Sequence, residues 1–154
     1  KILLWAGESM TVTSLIDLRQ QLAAYLAPRL PACEILYSMP TVRRPLADGM
    51  ATLVLSDRQV KRSEKTLPGS APLLLEVTLL LTALHRDSGE ECEALTERLA
   101  ALTMRGDFPC AAAAFDCGEC GFDRGCGAFC QRSLLTVYCE LAQTDDGGGE
   151  EADG

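Results

Sequence analysis

Leu73-Leu-Leu-Glu-Val-Thr-Leu-Leu-Leu-Thr-Ala-Leu84 decides the fold. Taken at every second position, Leu73, Leu75, Val77, Leu79, Leu81 and Ala83 make one wholly apolar side. The other side, Leu74, Glu76, Thr78, Leu80, Thr82 and Leu84, is mixed. Successive side chains of a strand point to opposite faces, so this pattern predicts a long strand in a sheet covered on one side only. A bilayer-crossing helix needs about 20 apolar residues in a row, and Glu76, Thr78 and Thr82 interrupt this run.

Upstream lies Ser56-Asp-Arg-Gln-Val-Lys-Arg-Ser-Glu-Lys65, polar and basic, closed by Leu67-Pro68-Gly69. It sits between the long strand and a second strand, Met50 to Leu55. It therefore predicts a protruding arm from Ser56 to Pro68, with Arg58, Lys61, Arg62 and Lys65 as candidate interaction residues. A solvated loop is the plain reading of such a run, but loops this long usually serve a partner. Pro40, Pro45 and Asp48-Gly49 mark a loop, and Cys33 to Tyr37 reads as a short strand. Before it, Ser14 caps a helix over 14–27 that carries Leu15, Leu18, Leu22 and Leu26 at helical spacing and stops at Pro28.

Downstream, Ser88-Gly-Glu-Glu91 is a capping box for a second helix over 89–104, with Cys92, Leu95, Leu99 and Leu102 on one stripe. Cys110 to Phe115 reads as a strand, Asp116 to Cys130 as a Gly- and Cys-rich loop, and Ser133 to Leu141 as the closing strand. The order is α-β-β-β-α-β-β. That makes an α+β fold, a mainly antiparallel sheet of four or five strands with two helices packed on one face. Residues 10–143 are expected as a single α+β domain. Residues 1–9 precede the first Met and carry a five-residue apolar run, short of a signal peptide's core; they read as an N-terminal extension, non-native or disordered. Residues 144–154 read as a disordered acidic tail.

The net charge is −8, from 14 Lys+Arg against 22 Asp+Glu. Five of those negatives are Asp145, Asp146, Glu150, Glu151 and Asp153, which leaves the body near neutral. Such a balance argues against a general nucleic-acid binder held by phosphate contacts and suits packing against protein partners, and no sequence-specific nucleic-acid partner is expected.

Cys117, Cys120, Cys126 and Cys130 follow C-x2-C-x5-C-x3-C, a pattern that would close a tetrahedral zinc site with four thiolates. Structural zinc sites usually hold roughly 12 or more residues between the two pairs, so five argue for a Gly-rich turn with small apolar thiols instead. The expectation is no metal and no cofactor, with a small α+β binding module carrying a four-cysteine zinc site over 117–130 as the alternative. Cys33, Cys92, Cys110 and Cys139 fall in apolar patterns and read as core. His85 is the single histidine, so a Ser-His-Asp arrangement or a zinc-hydrolase site is hard to build, and a capping or solvated role is expected. Glu90, Glu91 and Glu93 sit in the first turn of a helix, where the dipole favours acids. Catalysis has no evident seat, and no enzyme is expected.

The order helix, strand, strand–arm–strand, helix, hairpin resembles the tail terminator and tail-completion proteins of long-tailed phages and prophages. The segment Phe115-Asp-Cys-Gly-Glu-Cys-Gly-Phe-Asp-Arg-Gly125 with Gln131-Arg-Ser-Leu-Leu-Thr-Val137 looks like the closing hairpin of such proteins in prophages of Gram-positive anaerobes. The resemblance covers about residues 10–143, and the cysteines depart from it. It implies a structural virion subunit, made in the host bacterial cytoplasm without a signal peptide. It further implies assembly as a homo-oligomeric ring, a hexamer, that caps the tail tube. The implied partners are the tail-tube protein and the head-connector proteins, with no membrane.

Overall fold

The computed structural model describes residues 10–41, 46–47, 49–63 and 73–142. Along the chain run β1 (Met10–Val12), α1 (Leu15–Leu26), β2 (Cys33–Leu36), β3 (Ala51–Arg62), β4 (Leu73–His85), α2 (Gly89–Thr103), β5 (Ala111–Asp123) and β6 (Ala128–Leu141). The sheet has six strands in the order β1-β6-β4-β3-β2, with β5 beside β1 along the same edge of β6. The four long strands β3, β4, β6 and β5 pair antiparallel, whereas short β1 and β2 lie parallel to β6 and β3. The sheet is therefore mixed rather than purely antiparallel. Strand β1 adds an element before the first helix, three residues too short to show a period.

The period-two reading of β4 holds in space. Leu75, Val77, Leu79, Leu81 and Ala83 are buried and form one core with Leu18, Leu22 and Leu26 of α1 and with Cys92, Leu95, Leu99 and Leu102 of α2. Both helices thus cover the same face. Each starts at the serine the sequence marks: Ser14 Oγ accepts from the Asp17 amide at 3.0 Å and Ser88 Oγ from the Glu91 amide at 3.2 Å. These bonds satisfy donors that a helix start leaves orphaned. α1 ends in a 3₁₀ turn over Ala27–Arg29 that contains Pro28. Arg98 of α2 donates to the Arg29 carbonyl at 3.2 Å, and Tyr25 of α1 meets Phe108 edge-on at 5.3 Å, so each helix is tied to the segment that follows the other.

A smaller apolar cluster, Leu36, Leu46, Val54, Leu84, Ala128 and Cys130, lies on the opposite face at one end of the sheet. Farther along that face, Leu74, Leu80, Leu134 and Tyr138 are only half-buried.

Two expected loops are strand. Residues 56–62 continue β3 and pair with β4 as far as Arg62 opposite Leu75, and Ser63 donates to the Leu74 carbonyl at 2.8 Å. The arm expected from Ser56 to Pro68 is therefore ladder over its first half. A bulge at Arg58 shifts the register there. Likewise residues 116–123 belong to β5 and 128–132 to β6. The turn between them shrinks to residues 124–127. The extension 1–9 and the acidic tail 144–154 lie outside the described residues, as do residue 143 and Lys65.

Candidate interaction surfaces

The four clustered cysteines of the sequence occupy four different settings. Cys117 and Cys120 lie on β5 on either side of a bulge at Gly118-Glu119. Gln131 fixes that bulge, its Nε2 donating to the Gly118 carbonyl at 2.8 Å. A Cβ at Gly118 would run into the Arg132 carbonyl, so glycine serves a close strand approach here, not a turn of amides toward thiolates. Cys117 is exposed, whereas Cys120 packs against the main core and points its thiol at the Gly89 carbonyl, 3.5 Å away. Cys126 sits in the 124–127 turn, and Cys130 on β6 faces the other side of the sheet, in the smaller cluster. Among the described residues, no three His, Cys, Asp or Glu side chains come together to hold a metal ion.

The remaining thiols are packed away. Burial pushes Cys33 and Cys139 up to about 11, and Cys92 and Cys110 up to about 12. Cys126 and Cys130 are also raised, chiefly by burial. A nucleophilic or metal-binding cysteine needs the thiolate, and these environments disfavour it.

His85 lies buried at the end of β4, its Nδ1 accepting from the amides of Asp87 and Ser88, both at 3.1 Å. The ring caps the turn into α2, which is the capping role the sequence suggests and leaves the solvated one aside. The closing turn is organised by Asp123: its carboxylate accepts from the Gly125 amide at 2.7 Å and meets Arg132 Nη2 at 2.9 Å. Arg132 and the Gly125 amide hold the Asp123 carboxyl below its ordinary value. An open cleft of about 540 Å³ beside this turn is lined by Pro40, Thr41, Leu46, Arg86, Gly125, Cys126 and Gly127, and brings no acid–base pair together.

Three of the four candidate arm cations are exposed on the outer half of β3. Lys61 lies 3.7 Å from Glu76 across the strand pair. Arg58, at the bulge, and Arg62 have no carboxylate partner among the described residues. On the inner side of the same stretch Asp57 faces Arg19 of α1 at 3.7 Å, and Arg19 lies over the Tyr37 ring. Because β2 pairs only with Ala51–Val54, β3 has no outer neighbour beyond Val54 among the described residues. At the other side of the sheet, β5 pairs with β6 and has no outer neighbour among them either. Sequence reasoning identified the cations but missed both open edges. The face away from the helices completes the set of surfaces: Thr78 and Thr136 join hydroxyls across β4 and β6 at 3.2 Å, amid half-buried Leu80, Leu134 and Tyr138.

Against proteins of known structure, the chain is similar to the sheath/tube terminator of an extracellular contractile injection system (PVC), seen by cryo-EM in its extended state. The TM-score is 0.50 at 13% sequence identity, over 88% of this chain and 59% of that one. The likeness is one of fold, and the chain spans about three fifths of that protein's length. No family model matches the chain, and no curated protein matches it.

Proposed function

We propose that this chain is a structural subunit of a tail-like particle, a terminator that forms a ring on the end of the tube. The observation that carries this reading is the fold likeness to a sheath/tube terminator, which runs through 88% of the chain. Three features support it. No catalytic constellation assembles among the described residues, and the thiols with shifted values are held toward the protonated form. Among the described residues, the sheet has two strand edges without an outer neighbour and one half-buried face, surfaces that a neighbouring copy could cover. A ring of identical subunits uses one surface on each side of the protomer, which is what a sheet with two free edges provides.

In this role the ring stacks on the last layer of tube protein and, in a contractile particle, also meets the sheath. Its far side receives the next component of the neck, the head connector in a phage. The role is mechanical, with no cofactor and no enzymatic activity, and the site of action is the assembled particle.

The test is light scattering on size-separated protein, alone and after mixing with the tube protein of the same particle, followed by negative-stain microscopy. Closed rings of about six copies, or rings seated on tube ends, are expected. A protein that stays monomeric in both conditions and leaves the tube ends bare refutes the proposal.

A further inference from the structure

The two sheet edges that lack an outer neighbour among the described residues differ in charge. On the β3 side, the stretch beyond the β2 ladder exposes Arg58 and Arg62, while Lys61 is engaged by Glu76 and its one acid, Asp57, by Arg19. On the β5 side, Asp116 and Glu119 are exposed, and the strand carries no cation between Ala111 and Asp123. Thus a basic edge and an acidic edge stand at opposite sides of one sheet. Strand direction fits as well. Since β3, β4, β6 and β5 alternate in direction, β5 runs opposite to β3. Copies related by rotation about an axis along the strands would place β3 of one beside β5 of the next in antiparallel register. That arrangement leaves a further free β3 and a further free β5 at the ends, so it propagates until the ring closes.

We propose that neighbouring copies of this chain join edge to edge, the Ser56–Arg62 stretch of β3 docking antiparallel on β5 of the next copy, cations against acids. The inference rests on the ring reading and specifies its subunit contact. Backbone hydrogen bonds between the edges supply affinity, as in other strand additions. The cross-strand charge pairs set register and reject the wrong pairings, β3 on β3 and β5 on β5, in which like charges would meet. The alanines at 111–114 let a neighbouring backbone approach closely, and exposed Val60 and Phe122 add apolar contact. Bulges at Arg58 and at Gly118-Glu119 fall within this contact and interrupt each edge, which discourages pairing with an ordinary flat strand.

The experiment is a charge swap. Arg58→Glu with Arg62→Glu reverses the basic edge, and Asp116→Lys with Glu119→Lys reverses the acidic one. These four side chains are exposed, so circular dichroism and melting temperature should match the parent; if either reversed variant loses its fold, the neutral pairs Arg58→Gln/Arg62→Gln and Asp116→Asn/Glu119→Gln take its place. Each reversal alone should raise the concentration needed for assembly about tenfold or more, measured by light scattering with and without tube protein. Both reversals in one chain, or an equimolar mixture of the two reversed variants, should restore it. Assembly of the parent that neither reversal weakens, or that the combination fails to restore, overturns the edge pairing and leaves the ring reading standing. A parent that is monomeric in both conditions overturns the two together.

Discussion

Leu79→Ala tests the two-faced reading of the central strand. Leu79 is fully buried on the helix side of β4, flanked in its ladder by Asp57 of β3 and Leu135 of β6. The substitution deletes three carbons, worth about 2.4 kcal/mol at roughly 0.8 kcal/mol per buried methylene. β4 is held by ladders on both sides and lidded by helices, so the site cannot collapse freely. The cavity term then lifts the cost to about 3–4 kcal/mol. In a chain of this size that lowers the melting temperature by about 6–16 °C. Leu80, the next residue, points to the uncovered face and is half-buried, so Leu80→Ala should cost less than about 1.5 kcal/mol in the monomer. Chemical denaturation followed by far-ultraviolet circular dichroism, at concentrations below assembly, measures both. Equal costs at the two positions, or a larger one at Leu80, refute the assignment of faces and with it the claim that this face is free.

Further expectations concern acid, alkali, the thiols and zinc. Asp17, which accepts from the Thr13 amide at 2.8 Å, and Asp123 both have lowered values in the fold, so the stability they contribute is present above the unfolded carboxylate value and is lost as pH falls below about 4. Cys92, Cys110 and Cys139 are raised by burial, so the unfolded chain ionises first and stability should fall from about pH 9 upward; melting temperatures across pH, repeated with Asp17→Asn and Asp123→Asn, check both limbs. Cys117 should react at once with a thiol reagent under native conditions, and Cys92, Cys110, Cys130 and Cys139 only on unfolding. Purified protein should hold no stoichiometric zinc, and Cys117→Ser with Cys120→Ser should shift stability by less than about 1 kcal/mol; one zinc per chain by elemental analysis, lost together with the fold in that variant, overturns this.

The parts of the fold legible in the sequence are those written by burial. Both helices and the long strand are one-sided apolar patterns, and their boundaries fall within a residue or two of the observed ones. Caps at Ser14 and Ser88 are equally legible, because a serine before a carboxylate has one local job to do. β1 is too short to show a period, and its pairing with β6 joins residues 10–12 to 139–141, a distance in sequence that no local pattern reports. Parallel pairing of β2 with β3 is invisible for the same reason. The Cys-Gly-Glu-Cys run resembles a metal knuckle because glycine and cysteine suit both settings; only the close approach of Arg132 shows that Gly118 makes room for a bulged strand.

The outer half of β3 and the outer edge of β5 were the harder misreadings, and their physical cause is shared. A ladder is built from backbone amides and carbonyls, which every non-proline residue carries, so a strand needs an apolar side only where a layer covers it. Residues 57–62 and most of 113–122 have no such cover, so their side chains are free to be charged, small or glycine. Charged side chains and bulges of this kind also blunt an exposed edge in a monomer. Here the charges are also sorted: among the described residues, Arg58 and Arg62 on one edge have no carboxylate partner, and Asp116 and Glu119 on the other lie on a strand without a cation. Segregated charge on two edges of one sheet repels an identical edge and attracts the unlike one, which selects head-to-tail contact over face-to-face dimers. The polar composition that hides these strands from a one-chain reading is thus the same property on which the proposed pairing with a second copy rests.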